Sequence, residues 1–192
     1  MSTQWQGTFT ALVTPFGDDG SVDEGALERL IRFQIEGGVD GIVPCGTTGE
    51  SATLSDKEKL SVIESTRKHS DGRLTVMAGA GGNATSAVTG FAREAQAIGA
   101  DALLSVVPYY NRPNQEGLYR HFAAIAESVD IPVFLYNVPG RTGASLDPAT
   151  VLRLAAHGNV RGIKEASGDL SRVMEILENR PDGFRVLSGE DH

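Results

Sequence analysis

Lysine is scarce in this chain, and one lysine stands apart from the other three. Three of the four lysines lie within the charged stretch 57–68, where a solvated surface is the ordinary interpretation. Lys164 instead ends the apolar run 160–164, a pattern typical of a buried strand. Partial desolvation there would favour the neutral amine, which can attack a carbonyl carbon. Its position alone leaves a structural pair with neighbouring Glu165 as the alternative.

Other polar residues follow apolar runs in the same way. Gly-Thr-Thr-Gly-Glu at 46–50 offers N–H groups and hydroxyls for a carboxylate or phosphate, or forms an ordinary glycine turn. Tyr136 could transfer protons or be a core ring with its hydroxyl at the rim. Arg141 could bind a carboxylate through its planar guanidinium, or lie at the surface. Tyr109 and Tyr110 could form an exposed aromatic pair at a subunit contact.

Short apolar runs alternate with amphipathic stretches along the whole chain. The predicted strands are residues 8–13, 41–44, 75–78, 102–106, 133–136, 160–164 and 185–188. Helix starts are predicted by capping-box patterns at 21–24 and 55–58 and by Pro148 in a first turn. Strands that are each followed by a helix predict right-handed βαβ units and a parallel sheet covered on both faces.

Two α/β architectures fit this order, a barrel and an open doubly wound sheet, and both place sites at the carboxyl ends of strands. A barrel usually has eight strands and about 250 residues, whereas seven strands are predicted here. In a parallel barrel, six polar residues that end or follow different strands would converge at one mouth: Thr47, Thr48, Tyr110, Tyr136, Arg141 and Lys164.

Composition limits the classes of partner. The formal net charge of −8 disfavours nucleic acid and anionic membrane surfaces. Cys45 is the only cysteine, which excludes an intramolecular disulfide and fits a reducing compartment; we expect a buried, inert thiol. No signal peptide or membrane-spanning run is visible, so a cytoplasmic protein is predicted. The four histidines show no metal-ligand spacing, so no metal site is expected: His69, His121, His157 and His192.

Taken together, four ordered motifs resemble the dihydrodipicolinate synthase (4-hydroxy-tetrahydrodipicolinate synthase) family, in the N-acetylneuraminate lyase superfamily of class I aldolases. They lie at 46–54, 108–113, 136–143 and 162–165. The resemblance runs from about Gly7 to the last residue and implies the TIM (β/α)8 barrel family. We expect residues 1–192 to form one incomplete barrel of about seven βα units, lacking the last strand and the C-terminal helical extension.

The resemblance implies a lyase that condenses pyruvate with L-aspartate 4-semialdehyde in lysine and diaminopimelate biosynthesis. Lys164 would form a Schiff base with pyruvate, so no cofactor would be needed. Tyr136 would shuttle protons with Thr48 and with Tyr110, the latter from a neighbouring subunit of a homo-oligomer, a dimer or tetramer.

The remaining substrate contacts are implied in the same way. Backbone N–H groups of Thr47 and Thr48 would hold the pyruvate carboxylate, Arg141 would bind the semialdehyde carboxylate, and the Gly189 region would line its other end. Four positions match the allosteric site of lysine-inhibited members: Ser51, Ala52, Asn83 and Tyr109. Inhibited members often carry histidines and a glutamate where this chain has other residues, so strong inhibition is not expected: Asp56, Lys59 and Ala87.

Two alternatives stay open. One is another pyruvate-dependent lyase, acting on N-acetylneuraminate or a 2-keto-3-deoxy sugar acid, although Arg141 suits a small charged aldehyde better than a sugar. The other is a non-catalytic truncated barrel fragment, against which the set of Thr48, Tyr136 and Lys164 argues. An unclosed sheet would expose edges and apolar surface, so we expect poor activity and association through those edges, or dependence on a partner.

Overall fold

The computed structural model describes residues 5–190. Backbone contacts divide the chain into two compact units, residues 1–80 with 94–103 and residues 81–93 with 104–192. His192, one of the histidines considered above, lies outside the described residues. The described helices and strands, in chain order, are β1 Phe9–Ala11, α1 Glu24–Glu36, β2 Gly41–Val43, α2 Asp56–Ser70, β3 Thr75–Gly79, α3 Thr85–Ala97, β4 Ala102–Val106, α4 Gln115–Glu127, β5 Val133–Asn137, α5 Pro139–Thr142, α6 Pro148–Ala155, β6 Val160–Glu165, α7 Leu170–Asn179 and β7 Arg185–Ser188.

All seven predicted strands are confirmed. Those predicted at 102–106 and 185–188 have the predicted ends, and β6 extends one residue further, to Glu165. The largest difference is at β1, which is shorter than the predicted run 8–13. Strand ends differ because the apolar pattern marks which residues are buried, whereas a strand ends where its ladder of hydrogen bonds stops.

The first unit contains parallel strands with a buried helix face beside them. Strand β1 pairs with β2 and β2 with β3, in a register that places Phe9 opposite Gly41. The beginning of β4 lies beside β3 in the sheet, since the N–H group of Asp101, directly before β4, donates to Val76 O of β3 at 2.9 Å. On α1, Leu27 and Ile31 are fully buried, and their spacing of four puts them on one helix face.

Helix α2 begins as predicted. The Ser55 side chain accepts a hydrogen bond from Glu58 N–H at 3.3 Å, and Ser55 N–H donates to the Glu58 carboxylate at 2.8 Å. This reciprocal pair is a capping box, which satisfies backbone N–H groups that have no partner within the helix. Pro148 also lies in the first turn of its helix, α6, directly after the N-cap Asp147.

The capping box predicted at 21–24 is wrong. Helix α1 begins at Glu24, and its N-cap is Asp23, whose carboxylate accepts from Ala26 N–H at 2.8 Å. Ser21 instead donates its hydroxyl hydrogen to Asp19 at 2.7 Å. Aspartate caps a helix about as well as serine, so Ser21 and Asp23 both fit the sequence pattern of an N-cap, and Asp23 takes that position.

The second unit contains the parallel strands β5, β6 and β7, and the end of β4 joins them through Val107 N–H, which donates to Tyr136 O at 2.9 Å. Every residue of β5 is buried. Burial of a whole strand agrees with the predicted parallel sheet covered on both faces.

Helix α7 carries an exposed apolar stripe. Leu170, Met174 and Leu177 are 75%, 68% and 42% exposed, and their spacing places them along one side of the helix. No helix in the described part of the chain has both the length and the apolar character needed to cross a membrane.

Candidate active site

Lys164 and Tyr136 face each other at the ends of two neighbouring strands. Strands β5 and β6 run parallel, and their register pairs Tyr136 with Lys164. The Lys164 Nζ atom lies 4.7 Å from the centroid of the Tyr136 ring. Tyr136 is 8% exposed and Lys164 is half-buried. The sequence therefore placed Lys164 correctly, at a strand end and partly shielded from water.

A shift in strand register precedes this pairing. Strand β5 begins with Val133 opposite Val160, and the register shifts directly after Val133. An unbroken register would place Tyr136 opposite Ile163, whose side chain is apolar. The shift by one residue brings Lys164 to that position instead, and bulges commonly re-aim side chains in this way beside functional sites.

Gly189 lies against the Lys164 side chain. Its N–H group donates to Glu165 O at 2.8 Å, which ties the residue after β7 to the end of β6. A Cβ atom at position 189 would lie 2.8 Å from Lys164 Cε and 2.7 Å from the Ala166 Cβ. A side chain here would crowd both residues, so Gly189 lies beside the Lys164 side chain, and the lining of the second substrate by the Gly189 region stays a prediction.

Behind this pair lies a buried polar pair that the sequence reasoning missed. Asn137 Nδ2 lies 3.0 Å from each carboxylate oxygen of Glu165. Asn137 is fully buried and Glu165 is 4% exposed. The only signal in the sequence is that each follows a candidate catalytic residue, and Glu165 appears there only as a possible structural partner of Lys164.

Arg141 lies in the short helix α5, which follows β5 directly, and its side chain is exposed. The turn is held from within, because the Thr142 hydroxyl is within hydrogen-bonding distance of Val138 O at 3.2 Å and Ala144 O at 2.8 Å. Helix α5 ends at Gly143, whose φ of +69° suits glycine. The fold thus presents a guanidinium near the carboxyl end of β5, and its role as a carboxylate ligand stays a prediction.

Tyr109 and Tyr110 follow β4 in a strained segment. Tyr110 is 91% exposed, with a φ of +71°, and Arg112 also has a positive φ, +43°. Such conformations cost energy in residues other than glycine and often occur at functional segments. Asn111 donates to Asn83 O at 3.1 Å, so the segment of the two tyrosines is tied to one predicted allosteric position.

In the first unit, Thr47 and Thr48 lie exposed in the turn that follows β2. Thr14, which is 4% exposed, donates its hydroxyl hydrogen to Gly49 O at 2.7 Å and so anchors this turn. Sequence reasoning missed Thr14, because nothing local links it to position 49. The convergence of Thr47 and Thr48 with Lys164 stays a prediction, since these threonines belong to the first unit and Lys164 to the second.

The predicted allosteric positions of the first unit are accessible. Ser51 is half-buried and Ala52 is exposed. Of the residues that depart from the inhibited pattern, Lys59 and Asp56 form an ion pair at 2.6 Å. The charges of Lys59 and Asp56 are therefore paired with each other within α2.

Cys45 and His121 are both buried, and burial shifts the pKa of each side chain. Burial raises the pKa of the Cys45 thiol to about 12, which agrees with the inert thiol expected from the sequence. Burial lowers the pKa of His121 to about 4, and its Nδ1 atom lies 2.8 Å from the Thr85 hydroxyl. Across residues 5–190, no three His, Cys, Asp or Glu side chains group in a way that could hold a metal ion.

Comparison with known proteins places these features in a family. Residues 4–192 match the family described as the dihydrodipicolinate synthetase family. The chain is 53% identical over 193 aligned positions to the 4-hydroxy-tetrahydrodipicolinate synthase of Chlorobium luteolum, an alignment that covers 100% of this chain and 65% of the relative.

Solved structures agree. The crystal structure of dihydrodipicolinate synthase from Aquifex aeolicus is similar with a TM-score of 0.95 at 45% identity, over 97% of this chain and 64% of that one. The chloride-inhibited dihydrodipicolinate synthase of Acinetobacter baumannii, complexed with pyruvate, is similar with a TM-score of 0.95 at 45% identity, over 98% and 65% of the two chains. This likeness confirms the predicted α/β fold class, a TIM-barrel family member. The chain spans about two thirds of the length of these relatives.

Proposed function

Because the chain belongs to the dihydrodipicolinate synthetase family, we propose that it acts as a 4-hydroxy-tetrahydrodipicolinate synthase. This lyase condenses pyruvate with L-aspartate 4-semialdehyde in lysine and diaminopimelate biosynthesis. The observation that carries the proposal is the Lys164 amine 4.7 Å from the Tyr136 ring centroid, at paired strand ends. A half-buried amine beside an aromatic hydroxyl residue suits imine chemistry, which needs a neutral amine and a proton carrier.

The proposed chemistry begins with a covalent bond to Lys164. The neutral amine adds to the carbonyl carbon of pyruvate, and loss of water gives a protonated imine. Loss of a proton from the methyl carbon then gives an enamine, which forms a carbon–carbon bond with the aldehyde carbon of the semialdehyde. Tyr136 would carry protons in these steps, and hydrolysis or transimination would release the lysine. The imine is the electron sink, so the proposal requires no cofactor.

Further residues are proposed for substrate binding. Thr47 and Thr48 would hold the pyruvate carboxylate through backbone N–H groups. Arg141 would bind the carboxylate of the second substrate, and the Gly189 region would line its other end. The exposure of the Arg141 side chain at the carboxyl end of β5 supports this role. The position of Gly189 against Lys164 supports the proposal that this region lines the other end of the second substrate.

The synthase is favoured over a lyase for N-acetylneuraminate or a 2-keto-3-deoxy sugar acid. The relatives described above carry the synthase name. A small charged aldehyde requires a cation such as Arg141, whereas a sugar requires several hydroxyl partners. The pyruvate bound to the Acinetobacter baumannii relative supports pyruvate as the first substrate here.

We propose a homo-oligomer, a dimer or tetramer, in the cytoplasm. A side chain that is 91% exposed on strained backbone, as Tyr110 is, would be stabilised by a neighbouring subunit. There Tyr110 would join Tyr136 and Thr48 in proton transfer. The net charge of −8 supports small-molecule substrates rather than nucleic acid or membrane partners.

We propose that any feedback inhibition by lysine is weak. The candidate positions are Ser51, Ala52, Asn83 and Tyr109. Because Ala87 offers no carboxylate, one expected partner for the lysine ammonium is lost.

The test compares acceptor substrates. The chain is incubated with pyruvate and either L-aspartate 4-semialdehyde, N-acetylmannosamine or a sugar-derived aldehyde, and consumption of pyruvate is followed. The Lys164→Ala variant is the control. Turnover with the semialdehyde that requires Lys164 supports the proposal, whereas turnover only with a sugar, or none with any acceptor, would contradict it for this chain.

A further inference from the structure

Two polar residues stand directly behind the reacting pair. The register that pairs Tyr136 with Lys164 also pairs Asn137 with Glu165, one residue further along the same strands. Side chains alternate between the two faces of a sheet. Asn137 and Glu165 therefore lie on the face opposite to Tyr136 and Lys164.

Every hydrogen-bonding group between them is matched. Asn137 Nδ2 lies 3.0 Å from both oxygens of Glu165, while Asn137 Oδ1 accepts from Leu146 N–H at 3.0 Å. Glu165 Oε1 also accepts from Ser167 N–H at 2.9 Å. Burial of a carboxylate is costly unless it is hydrogen-bonded, so this arrangement holds Glu165 in one position.

The same bonds fix the chain segments around Lys164. Through side chains they join the ends of β5 and β6 to the loops that follow each strand. Backbone bonds reinforce them: Ala166 N–H donates to Asn137 O at 2.9 Å, and Gly189 N–H donates to Glu165 O at 2.8 Å. A Cβ atom added at Gly189 would meet both Ala166 Cβ and Lys164 Cε, so Gly189 lies beside both residues.

We propose that Asn137 and Glu165 are positioning residues that keep the Lys164 amine facing Tyr136 and thereby set the rate at which Lys164 forms its covalent bond with a 2-oxo acid. The inference rests on the proposed function of Lys164. Both residues lie on the opposite face of the strands from Tyr136 and Lys164. They act through the ends of the two strands that carry the amine and the phenol, since reacting groups displaced by about 1 Å lose roughly a hundredfold in rate.

The chemistry of the pair suggests a matched set of variants. The backbone supplies one fixed donor on each side, Leu146 N–H and Ser167 N–H. In Glu165→Gln, the two side-chain oxygens still accept these bonds, but the NH2 groups of residues 137 and 165 then face each other and the carboxylate that accepted from Asn137 is lost. Ser145 Oγ, 3.4 Å from Asn137 Nδ2, is the acceptor that remains beside them. In the double variant Asn137→Asp with Glu165→Gln, the amide of residue 165 donates to the carboxylate of residue 137. Every backbone donor keeps an acceptor, and the net charge of the pair is unchanged.

The control changes an asparagine of the same unit at the other end of β6. Asn159 immediately precedes β6, and its Nδ2 atom donates to the carbonyl oxygens of Ala126 and Val129. Asn159→Asp removes these bonds and destabilises the unit without touching the end of β6 that bears Lys164. It separates loss of stability from loss of positioning.

The experiment uses the full chain, pyruvate and a borohydride reductant, and mass spectrometry of peptides counts reduced adducts on Lys164. The maximal rate constant and the half-saturating pyruvate concentration are measured per folded molecule, with folding monitored by circular dichroism. We expect Glu165→Gln to lower the maximal rate constant by roughly tenfold or more. The double variant should recover to within about threefold, and Asn159→Asp should lose thermal stability but not rate. Equal rates for Glu165→Gln and the unaltered chain, or a folded double variant as slow as Glu165→Gln, would overturn the inference.

A second readout separates this inference from the proposed function. If the unaltered chain forms no adduct with pyruvate, the proposed function fails. Positioning is then measured by labelling with acetic anhydride, using the exposed Lys57 and Lys68 as internal references. A ratio of Lys164 labelling that changes in Glu165→Gln and returns in the double variant supports the positioning role, and a ratio that is constant across the three chains overturns it.

Discussion

The Lys164 amine lies 4.7 Å from the centre of the Tyr136 ring, at the ends of two strands whose register shifts by one residue directly after Val133. The phenol at the edge of this ring can exchange a proton with a bound substrate. One backbone irregularity thus brings together two residues that lie far apart in the chain.

The Tyr136 hydroxyl is expected to act in chemistry rather than in folding. Tyr136→Phe keeps the ring that contacts Lys164 and removes only the hydroxyl. We expect turnover to fall by roughly 10²- to 10⁴-fold, the range attributed to general acid–base catalysis, with a melting temperature close to that of the unaltered chain. Steady-state kinetics with pyruvate and the semialdehyde measure the first, and calorimetry the second. Turnover within about threefold of the unaltered chain would rule out the proposed proton transfer.

Gly189 is expected to tolerate no side chain. In Gly189→Ala, the new methyl group would lie 2.8 Å from Lys164 Cε, so the lysine must move. We expect the rate of adduct formation with pyruvate to fall by roughly a hundredfold, as a displacement of about 1 Å produces. Gly158→Ala is the matched control, since a Cβ atom there meets nothing within 4 Å. Equal loss in the two variants would mean that crowding of Lys164 is not the cause.

The two serines of the predicted capping boxes, Ser55 and Ser21, are expected to differ in their effect on stability. Ser55→Ala removes the capping box of α2 and should lower the free energy of unfolding by about 1 kcal/mol. Ser21→Ala should change it by less than about 0.5 kcal/mol, because Asp23 caps α1. Urea denaturation of both variants gives the comparison, and a larger loss for Ser21→Ala would contradict the observed caps.

His121 is expected to weaken the fold in acid. Burial lowers its pKa from 6.5 to about 4, so the folded chain keeps the ring neutral while the unfolded chain binds a proton. The resulting loss of stability is absent above about pH 6.5 and grows as the pH falls toward 4, reaching on the order of 3 kcal/mol. In His121→Asn this contribution disappears, so the difference in unfolding free energy between the two chains should shrink toward pH 4. A difference that stays constant from pH 7 to pH 4 would contradict the buried neutral ring.

Local sequence patterns predicted much of the fold. Apolar runs located the seven strands, and the position of Lys164 at the end of one of them suggested its shielding before any contact was known. The cap of α1 was misassigned because Ser21 and Asp23 both satisfy the rules for a cap, and only the path of the chain decides between them.

Pairings between distant residues could not be obtained in this way. Asn137 and Glu165 are 28 residues apart, and their partnership depends on the register shift after Val133. Thr14 is likewise 35 residues from Gly49. Such contacts follow from strand register, which a single sequence does not specify residue by residue.

The most direct test of the account is the site of the covalent bond. The chain is incubated with pyruvate, reduced with borohydride and digested, and mass spectrometry locates the added pyruvate-derived group among the four lysines. We predict one adduct per chain, on Lys164, and none in Lys164→Arg. An adduct on Lys57, Lys59 or Lys68 alone, or none on a folded chain at saturating pyruvate, would contradict the assignment of Lys164 as the nucleophile.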